Sequence, residues 1–247
     1  MGKINKVAQI TFIFWIMKIV ATTLGETLGD FISMTLNFGY ATAIGITSLF
    51  FLIVLSTQLL LKKYIPLVYW LVIIGTTTLG TEISDFIDRS LHLGYAWGSL
   101  ILFLGLIFTL YCWFRKYKNL QVFPITENLK ELFYWLAILF SNSLGTACGD
   151  FLSDNIGLSY LYGAIVTASI IIIVIVLHYV TKINRVLLFW IAFVFTRPFG
   201  ATFGDFLTKP LSKGGLEFGT FNASMVSIAI MLILIFISSS KLKSQLQ

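Results

Sequence analysis

Long apolar blocks alternate with short polar segments along the whole chain, and eight such blocks can be distinguished. They lie at about 8–30, 40–61, 66–86, 95–114, 131–151, 160–180, 186–206 and 222–240. Each is close to the roughly 20 residues that cross a bilayer as a helix. Because the blocks occupy most of the 247 residues, the pattern predicts an all-α integral membrane protein with eight transmembrane helices and no sizeable soluble domain.

A repeated phrase divides these helices into four pairs. A Trp in every odd-numbered block is followed fifteen residues later by an Asp, at Trp15 and Asp30, Trp70 and Asp85, Trp135 and Asp150, and Trp190 and Asp205. A Gly stands five residues before each Asp, and a Phe follows it. This self-similarity predicts four two-helix repeats, at 8–61, 66–114, 131–180 and 186–240, within a single membrane domain over 1–247.

Composition supports the same class of protein. The chain is 57% hydrophobic and only 11% charged, whereas soluble domains carry about 25% charged residues. The first block contains the repeated Trp and Asp, so we interpret it as part of the mature protein rather than as a signal peptide. Cys112 and Cys148 lie in different blocks and form neither a disulfide framework nor a metal motif.

Basic residues concentrate on one side of the predicted helices. Twelve of the seventeen lie at the chain ends or between repeats: Lys3, Lys6, Lys62, Lys63, Arg115, Lys116, Lys118, Lys130, Lys182, Arg185, Lys241 and Lys243. The positive-inside rule then predicts cytoplasmic termini, in a multi-pass protein of the bacterial cytoplasmic (inner) membrane. Because these residues are dispersed beside apolar blocks, the expected partner is the lipid bilayer and no nucleic acid.

The repeats are expected to be parallel, because each contains an even number of helices. Parallel repeats are pseudo-symmetric about the membrane normal. Small residues four apart also recur in each odd helix: Gly25 and Gly29, Gly80 and Ser84, Gly145 and Gly149, Gly200 and Gly204. Small residues at this spacing let helices approach closely in lipid. We therefore expect the odd helices inside the bundle and the plainer even helices around them, facing lipid.

Acidic residues inside apolar blocks are the candidate functional groups, since a carboxylate in a bilayer is costly and is kept for a purpose. The face of each odd helix that carries the repeated Asp also carries further oxygen-bearing side chains. The candidate cation-binding residues are Glu26, Asp30, Glu82, Asp85, Asp150, Asp154, Asp205, Thr22, Thr77 and Asn142, with Asp30, Asp85, Asp150 and Asp205 as candidate metal ligands. The alternative interpretation is structural: Ser and Thr satisfy backbone carbonyls, and the Asp residues cap turns or are solvated.

Two basic residues lie within the predicted helices. Arg197 is seven residues past Trp190, near the membrane centre, so we expect either an internal counter-ion for acids of other repeats or a tethered cation that competes with a substrate. Lys18 is only three residues past Trp15 and is expected to extend to the cytoplasmic interface. The repeated Trp residues are interpreted as interfacial anchors or packing residues.

The repeated segments also resemble a known family. The resemblance rests on FWIMKIVATTLGETLGD at 14–30, YWLVIIGTTTLGTEISDFIDR at 69–89, FYWLAILFSNSLGTACGDFL at 133–152 and LLFWIAFVFTRPFGATFGDFLTKP at 187–210. These segments resemble a bacterial family of uncharacterised membrane proteins made of four tandem two-helix repeats of unknown function. The resemblance implies eight helices with a Trp in each repeat, and it implies no activity.

The carboxylates favour a transporter that exports or exchanges a small cation. Carboxylate, Thr and Asn oxygens suit hard divalent cations such as Mg²⁺, Mn²⁺ or Ca²⁺, and alternate binding of protons would permit proton coupling. No cofactor is expected beyond a bound divalent cation. Alternatives are a cation channel with an Asp ring, or a membrane enzyme or lipid- or quinone-binding protein. We expect no enzyme, because the chain lacks a Ser–His–Asp arrangement, HExxH and a phosphate loop.

Overall fold

The computed structural model describes residues 5–244, with side chains to residue 240. Within this part the chain forms eight helices that are long and apolar enough to cross a membrane. They are α1 (Phe12–Asp30), α2 (Gly39–Leu60), α3 (Pro66–Asp85), α4 (Gly94–Tyr117), α5 (Asn128–Asp150), α6 (Tyr160–Val180), α7 (Arg185–Thr208) and α8 (Thr220–Ser244). The predicted all-α architecture is confirmed. Lys3 and the side chains of Lys241 and Lys243, which contribute to the predicted charge bias, lie outside the described residues.

The helix order in space follows a cyclic rule. The odd helices form a closed ring in which α1 packs against α3, α3 against α5, α5 against α7, and α7 against α1. Each even helix packs against the odd helix of the following repeat, and α8 packs against α1. In their most apolar stretches the odd helices have 61–72% of residues buried, against 28% in each even helix. The odd helices are therefore the core of the bundle.

Small residues make the close contacts of this ring. Gly25 of α1 faces Thr77 of α3, and there is no room for a Cβ atom between them. The equivalent contact recurs around the ring: Gly80 faces Asn142, Gly145 faces Arg197, and Gly200 faces Thr22. In every case a glycine receives the residue that stands eight positions before the Asp of the next repeat. Helix approach and the polar interior are thus produced by the same repeated positions.

A π-helical turn follows the repeated Asp in the first three repeats. These turns are Phe31–Thr35, Phe86–Ser90 and Phe151–Asn155. In the fourth repeat α7 instead continues to Thr208, and a longer connection with a short 3₁₀ turn at Leu211–Lys213 leads to α8. The same Asp-Phe pair precedes both endings, but the fourth connection is longer and more polar in sequence, reading KPLSKGGLEFGTF at 209–221.

We call the two ends of the bundle the Trp end and the Asp end, after the repeated residues nearest to each. Aromatic side chains fill the Trp end, where Trp70 and Trp135 are at most 1% exposed. The hydroxyls of Tyr69 and Tyr134 are 2.5 Å apart there. Beyond them a buried salt bridge joins Lys6 to Glu131, which also accepts a hydrogen bond from Gln58 at 2.7 Å. The Trp end is therefore closed by packed side chains.

Candidate cation site

Polar side chains of the odd helices form successive layers inside the ring, from the Trp end to the Asp end, and Lys18 is in the first of them. This side chain is fully buried and donates a hydrogen bond of 2.9 Å to Asn142 Oδ1. Its ammonium nitrogen also lies 4.0 Å from the centre of the Phe193 ring. The prediction that Lys18 extends to an interface is wrong, because the amide acceptor and the aromatic face hold the amine inside the bundle.

Arg197 occupies the next layer with Thr22, Thr77 and Asn142. Its guanidinium pairs with Glu26 at 3.0 Å and donates to the carbonyl oxygens of Thr22 and Thr77 at 3.2 and 3.3 Å. It also donates to the Thr81 hydroxyl. These bonds link α7 to α1 and α3 across the ring, so Arg197 is an internal counter-ion of the first repeat. Thr22 and Thr77 donate their own hydroxyls to carbonyls of the preceding repeat, at 3.2 and 3.1 Å.

The four repeated aspartates lie at one level of the bundle, and two basic residues divide them into pairs. Arg89 pairs with Asp150 at 2.9 Å and with Asp85 at 3.6 Å. The guanidinium is further held by Tyr40 at 3.0 Å and Tyr95 at 3.1 Å. This group links the second and third repeats, and we call it the Arg89 pair.

Asp154 lies at the edge of the Arg89 pair. Its carboxylate is 4.0 Å from Arg89 and accepts a hydrogen bond of 2.7 Å from Tyr95. Its side chain is 41% exposed, whereas those of Asp85 and Asp150 are almost fully buried. Asp154 is therefore a peripheral member of this group.

The other two aspartates share Lys209. The ammonium nitrogen is 2.5 Å from Asp30 and 3.2 Å from Asp205, which links the fourth repeat to the first. We call this group the Lys209 pair. Lys209 follows the last residue of α7 and lies outside the spanning helices. Burial lowers the pKa of the amine, but the carboxylates of Asp205 and Asp30 outweigh burial and raise the pKa well above its usual value. The amine is therefore an ammonium ion at neutral pH.

The Lys209 pair belongs to a larger group of acids. One carboxylate oxygen from each of Glu26, Asp30 and Asp205 lies within 4.8 Å of the others, and all three residues are buried. Glu82 adds a fourth carboxylate. It is fully buried and interacts electrostatically with Asp30 and Glu26. Ser33 lies beside it, but the Ser33 hydroxyl donates to the Gly29 carbonyl at 2.9 Å, and neither Glu82 oxygen has a hydrogen bond of normal geometry among the described residues. Glu26, Asp30, Glu82 and Asp205 are called the carboxylate cluster below.

A cavity of about 350 Å³ opens beside this cluster at the Asp end. Its lining includes Asp205 and Lys209 of one pair together with Asp150 and Arg89 of the other. Met34 and Asp154, which also line it, are 48% and 41% exposed. Both pairs therefore border one polar space, although each pair is bridged by its own cation.

Arg89 and Lys209 are the site residues that sequence analysis did not single out. Each stands four residues after the repeated Asp of its own repeat, where the first and third repeats have Met34 and Asp154. Residues four apart lie on the same helix face. The spacing of four from the repeated Asp is therefore the sequence signal that predicts Arg89 and Lys209 beside the aspartates. Both residues lie just beyond the apolar blocks at 66–86 and 186–206, so the block pattern assigns them to connecting segments rather than to a helix face.

The bundle and its repeated acids define a class: tandem-repeat helical proteins whose helices are long enough to cross a membrane. The family model described as Repeat of Unknown Function (DUF347) matches the chain four times, at residues 13–64, 68–119, 133–184 and 188–241. The matches cover most of the chain, so the chain belongs to this family. The resemblance to a family of four tandem repeats is thereby confirmed. No curated protein and no solved structure matches the chain.

Proposed function

We propose that the protein is a carrier in the bacterial cytoplasmic membrane that exchanges a hard divalent cation for protons at the carboxylate cluster. In this proposal the repeats surround an axis along the membrane normal. The positive-inside rule assigns the Trp end to the cytoplasm and the Asp end to the opposite side. The cavity then gives a cation access to the cluster from outside.

The unbalanced charge of the cluster is the observation that carries this proposal. Glu26, Asp30, Glu82 and Asp205 are all at most 4% exposed, and the cations paired within the cluster are Arg197 and Lys209. With every group ionised, the cluster has two more negative than positive charges. An uncompensated buried charge costs several kcal/mol. The missing charge equals that of one divalent cation or of two protons.

The chemistry of the cluster favours a hard cation. Its donors are carboxylate oxygens, and the Thr81 hydroxyl lies 3.3 Å from Glu26 Oε2. Oxygen donors of this kind suit Mn²⁺, Mg²⁺ and Ca²⁺. Within the described residues, the groups of three or more potential ligands that lie close enough to share a metal ion contain no His or Cys.

A carrier explains the layers of the ring better than a channel with an Asp ring. A channel needs a continuous path along its axis. Below the cluster, Arg197 and Lys18 cross the ring, and the aromatic side chains of the Trp end are packed beyond them. Passage therefore requires the Trp end to open after the cavity closes. This is the alternating access of a carrier.

The test replaces Glu82, because the exchange removes a buried negative charge that has no salt-bridge partner among the described residues. Purified wild-type protein and the Glu82→Gln variant are reconstituted in liposomes that contain either a Mn²⁺-sensitive or a pH-sensitive dye. We expect saturable Mn²⁺ flux with opposite proton flux in the wild type, and at least a tenfold slower flux in the variant.

The exposed Glu217→Gln exchange provides the matched control. It makes the same chemical change at the Asp end outside the cluster, and it should leave the flux unchanged. If liposomes that contain the wild-type protein show no flux of Mn²⁺, Mg²⁺ or Ca²⁺, the proposal is contradicted. A flux that is proportional to concentration without saturation would favour the channel instead.

A further inference from the structure

Lys209 occupies a position in the cluster that a bound cation would also use. Its ammonium nitrogen lies between Asp30 and Asp205, at 2.5 and 3.2 Å. Both of these residues belong to the three whose oxygens lie close enough to share one ion. Lys209 and a divalent cation would therefore compete for the same two carboxylates.

Among the described residues the side chain of Lys209 is held by ion pairs alone, whereas its backbone is fixed by hydrogen bonds. The backbone amide donates to the Asp205 carbonyl at 2.8 Å, and the carbonyl accepts from the Glu217 amide at 3.0 Å. Gly215 packs against the same carbonyl with no room for a Cβ atom. The long fourth connection therefore clamps the main chain. The side chain borders the cavity and, within the described residues, is held only by its two carboxylates.

Glu82 is a second, independent observation that the carboxylate cluster can bind a cation in addition to the Lys209 ammonium group. It is fully buried, and neither of its oxygens has a salt bridge or a hydrogen bond of normal geometry among the described residues, since the neighbouring Ser33 hydroxyl donates to the Gly29 carbonyl at 2.9 Å. Its Oε1 atom lies 3.3 Å from the position that a Cβ atom would take at Gly29, the residue before Asp30. Glu82 therefore points towards the acids of α1, where Lys209 does not reach it.

We propose that Lys209 is a tethered competitor of the substrate. A divalent cation binds Glu26, Asp30, Glu82 and Asp205 when the ammonium group moves from its two carboxylates into the cavity, and the return of the ammonium group expels the cation. This inference rests on the proposed function, and it adds the residue that controls release. No covalent change is involved, because one cation replaces another on the same oxygens.

The first test measures Mn²⁺ binding to purified full-length protein in detergent by titration calorimetry. Lys209→Met removes the competitor, so we expect Mn²⁺ to bind about tenfold more tightly than to the wild type, a change of about 1.4 kcal/mol. Lys213→Met is the matched control, because Lys213 is an exposed lysine that lines the same cavity. Lys213 has no carboxylate partner among the described residues, so its loss should change the affinity by less than about twofold.

The second test uses the wild type, so that it stands even where Lys209→Met does not fold. An amine-acetylating reagent is applied with and without saturating Mn²⁺, and the acetylated fraction of Lys209 is measured by mass spectrometry relative to Lys213. Displacement into the cavity should raise the acetylation of Lys209 several-fold.

The outcomes separate this inference from the proposed function. Equal or weaker Mn²⁺ binding by Lys209→Met, or acetylation of Lys209 that does not respond to Mn²⁺, overturns the competitor role alone. If the wild type and the variant both fail to bind Mn²⁺, Mg²⁺ and Ca²⁺, the proposed function is overturned together with this inference.

Discussion

The Arg89 pair and the Lys209 pair are built on the same plan but differ in what holds the cation. In both, a basic residue four positions after the repeated Asp of an even repeat reaches the Asp of a neighbouring repeat. Arg89 has two tyrosine partners in addition to its carboxylates, whereas Lys209 has only Asp30 and Asp205 among the described residues. The fixed guanidinium geometry favours several simultaneous bonds, whereas an ammonium ion is a point charge on a flexible stem. Under the proposed mechanism, the Arg89 pair is a fixed link and the Lys209 pair an exchangeable one.

The two pairs also differ in the amount of buried negative charge around them. Beneath the Lys209 pair, Glu26 and Glu82 add buried negative charge. The positions that correspond to these two around the Arg89 pair are Thr146 of the third repeat and Thr202 of the fourth, which carry no charge. By the same count the two buried aspartates of the Arg89 pair exceed Arg89 by one negative charge, whereas the carboxylate cluster has an excess of two, all of it buried. The comparison favours the carboxylate cluster as the site of the proposed substrate cation. The following predictions test this difference.

The largest effect is expected on stability, for Arg89→Gln. Loss of the guanidinium leaves Asp85 and Asp150 buried without a cation. The expected loss in the free energy of unfolding is about 3 kcal/mol, the low end for breaking a buried pair, because Arg89 is 28% exposed. Denaturant titration in detergent measures it, and saturating Mn²⁺ should not restore the loss. The exposed Arg115→Gln exchange is the control; an equal loss there would deny any special role to Arg89.

The Lys209→Met variant should behave differently in the same titration. It also leaves two buried aspartates without their cation, so it should be destabilised in metal-free buffer. Mn²⁺ can take the vacated position, and at a hundred times its dissociation constant it should return about 2.7 kcal/mol. A variant that Mn²⁺ fails to stabilise would show that the two pairs are alike.

A smaller effect is expected from Lys209→Arg, which keeps the charge but changes how it is held. A guanidinium can bind both carboxylates at once and leaves them less readily. Mn²⁺ affinity measured by calorimetry should fall about tenfold, or about 1.4 kcal/mol. Lys213→Arg makes the same exchange at an exposed site and should have no effect. Unchanged affinity in Lys209→Arg would argue against competition at this position.

The smallest effect is expected for Asp154→Asn at the edge of the Arg89 pair. Its carboxylate is 41% exposed and 4.0 Å from Arg89, and Asn can still accept the Tyr95 hydrogen bond. The free energy of unfolding should change by no more than about 0.5 kcal/mol. A loss comparable to that of Arg89→Gln would make Asp154 a full member of the Arg89 pair.

The sequence predicted the eight-helix fold because several independent features of each repeat indicated the same arrangement. Block length, the Trp-to-Asp spacing and the glycines all indicated eight helices in four units. The prediction of the site was less complete, because it treated charges by their position along one helix. Lys18 and Lys209 find their partners on other helices, Asn142 of α5 and Asp30 of α1. Which repeats are neighbours follows from the closed ring, and a linear pattern does not contain that closure.

The contact of α8 with α1 has a consequence for biosynthesis. Glu26 and Asp30 belong to α1, but their counter-ions, Arg197 and Lys209, follow 171 and 179 residues later in the chain. The helix α8, which packs against α1, is made later still. If the chain inserts into a membrane as proposed, the two acidic groups remain without these partners while α2 to α7 are made. Truncation within the last repeat would leave those acids without partners, and such fragments should be prime substrates for membrane quality-control proteases.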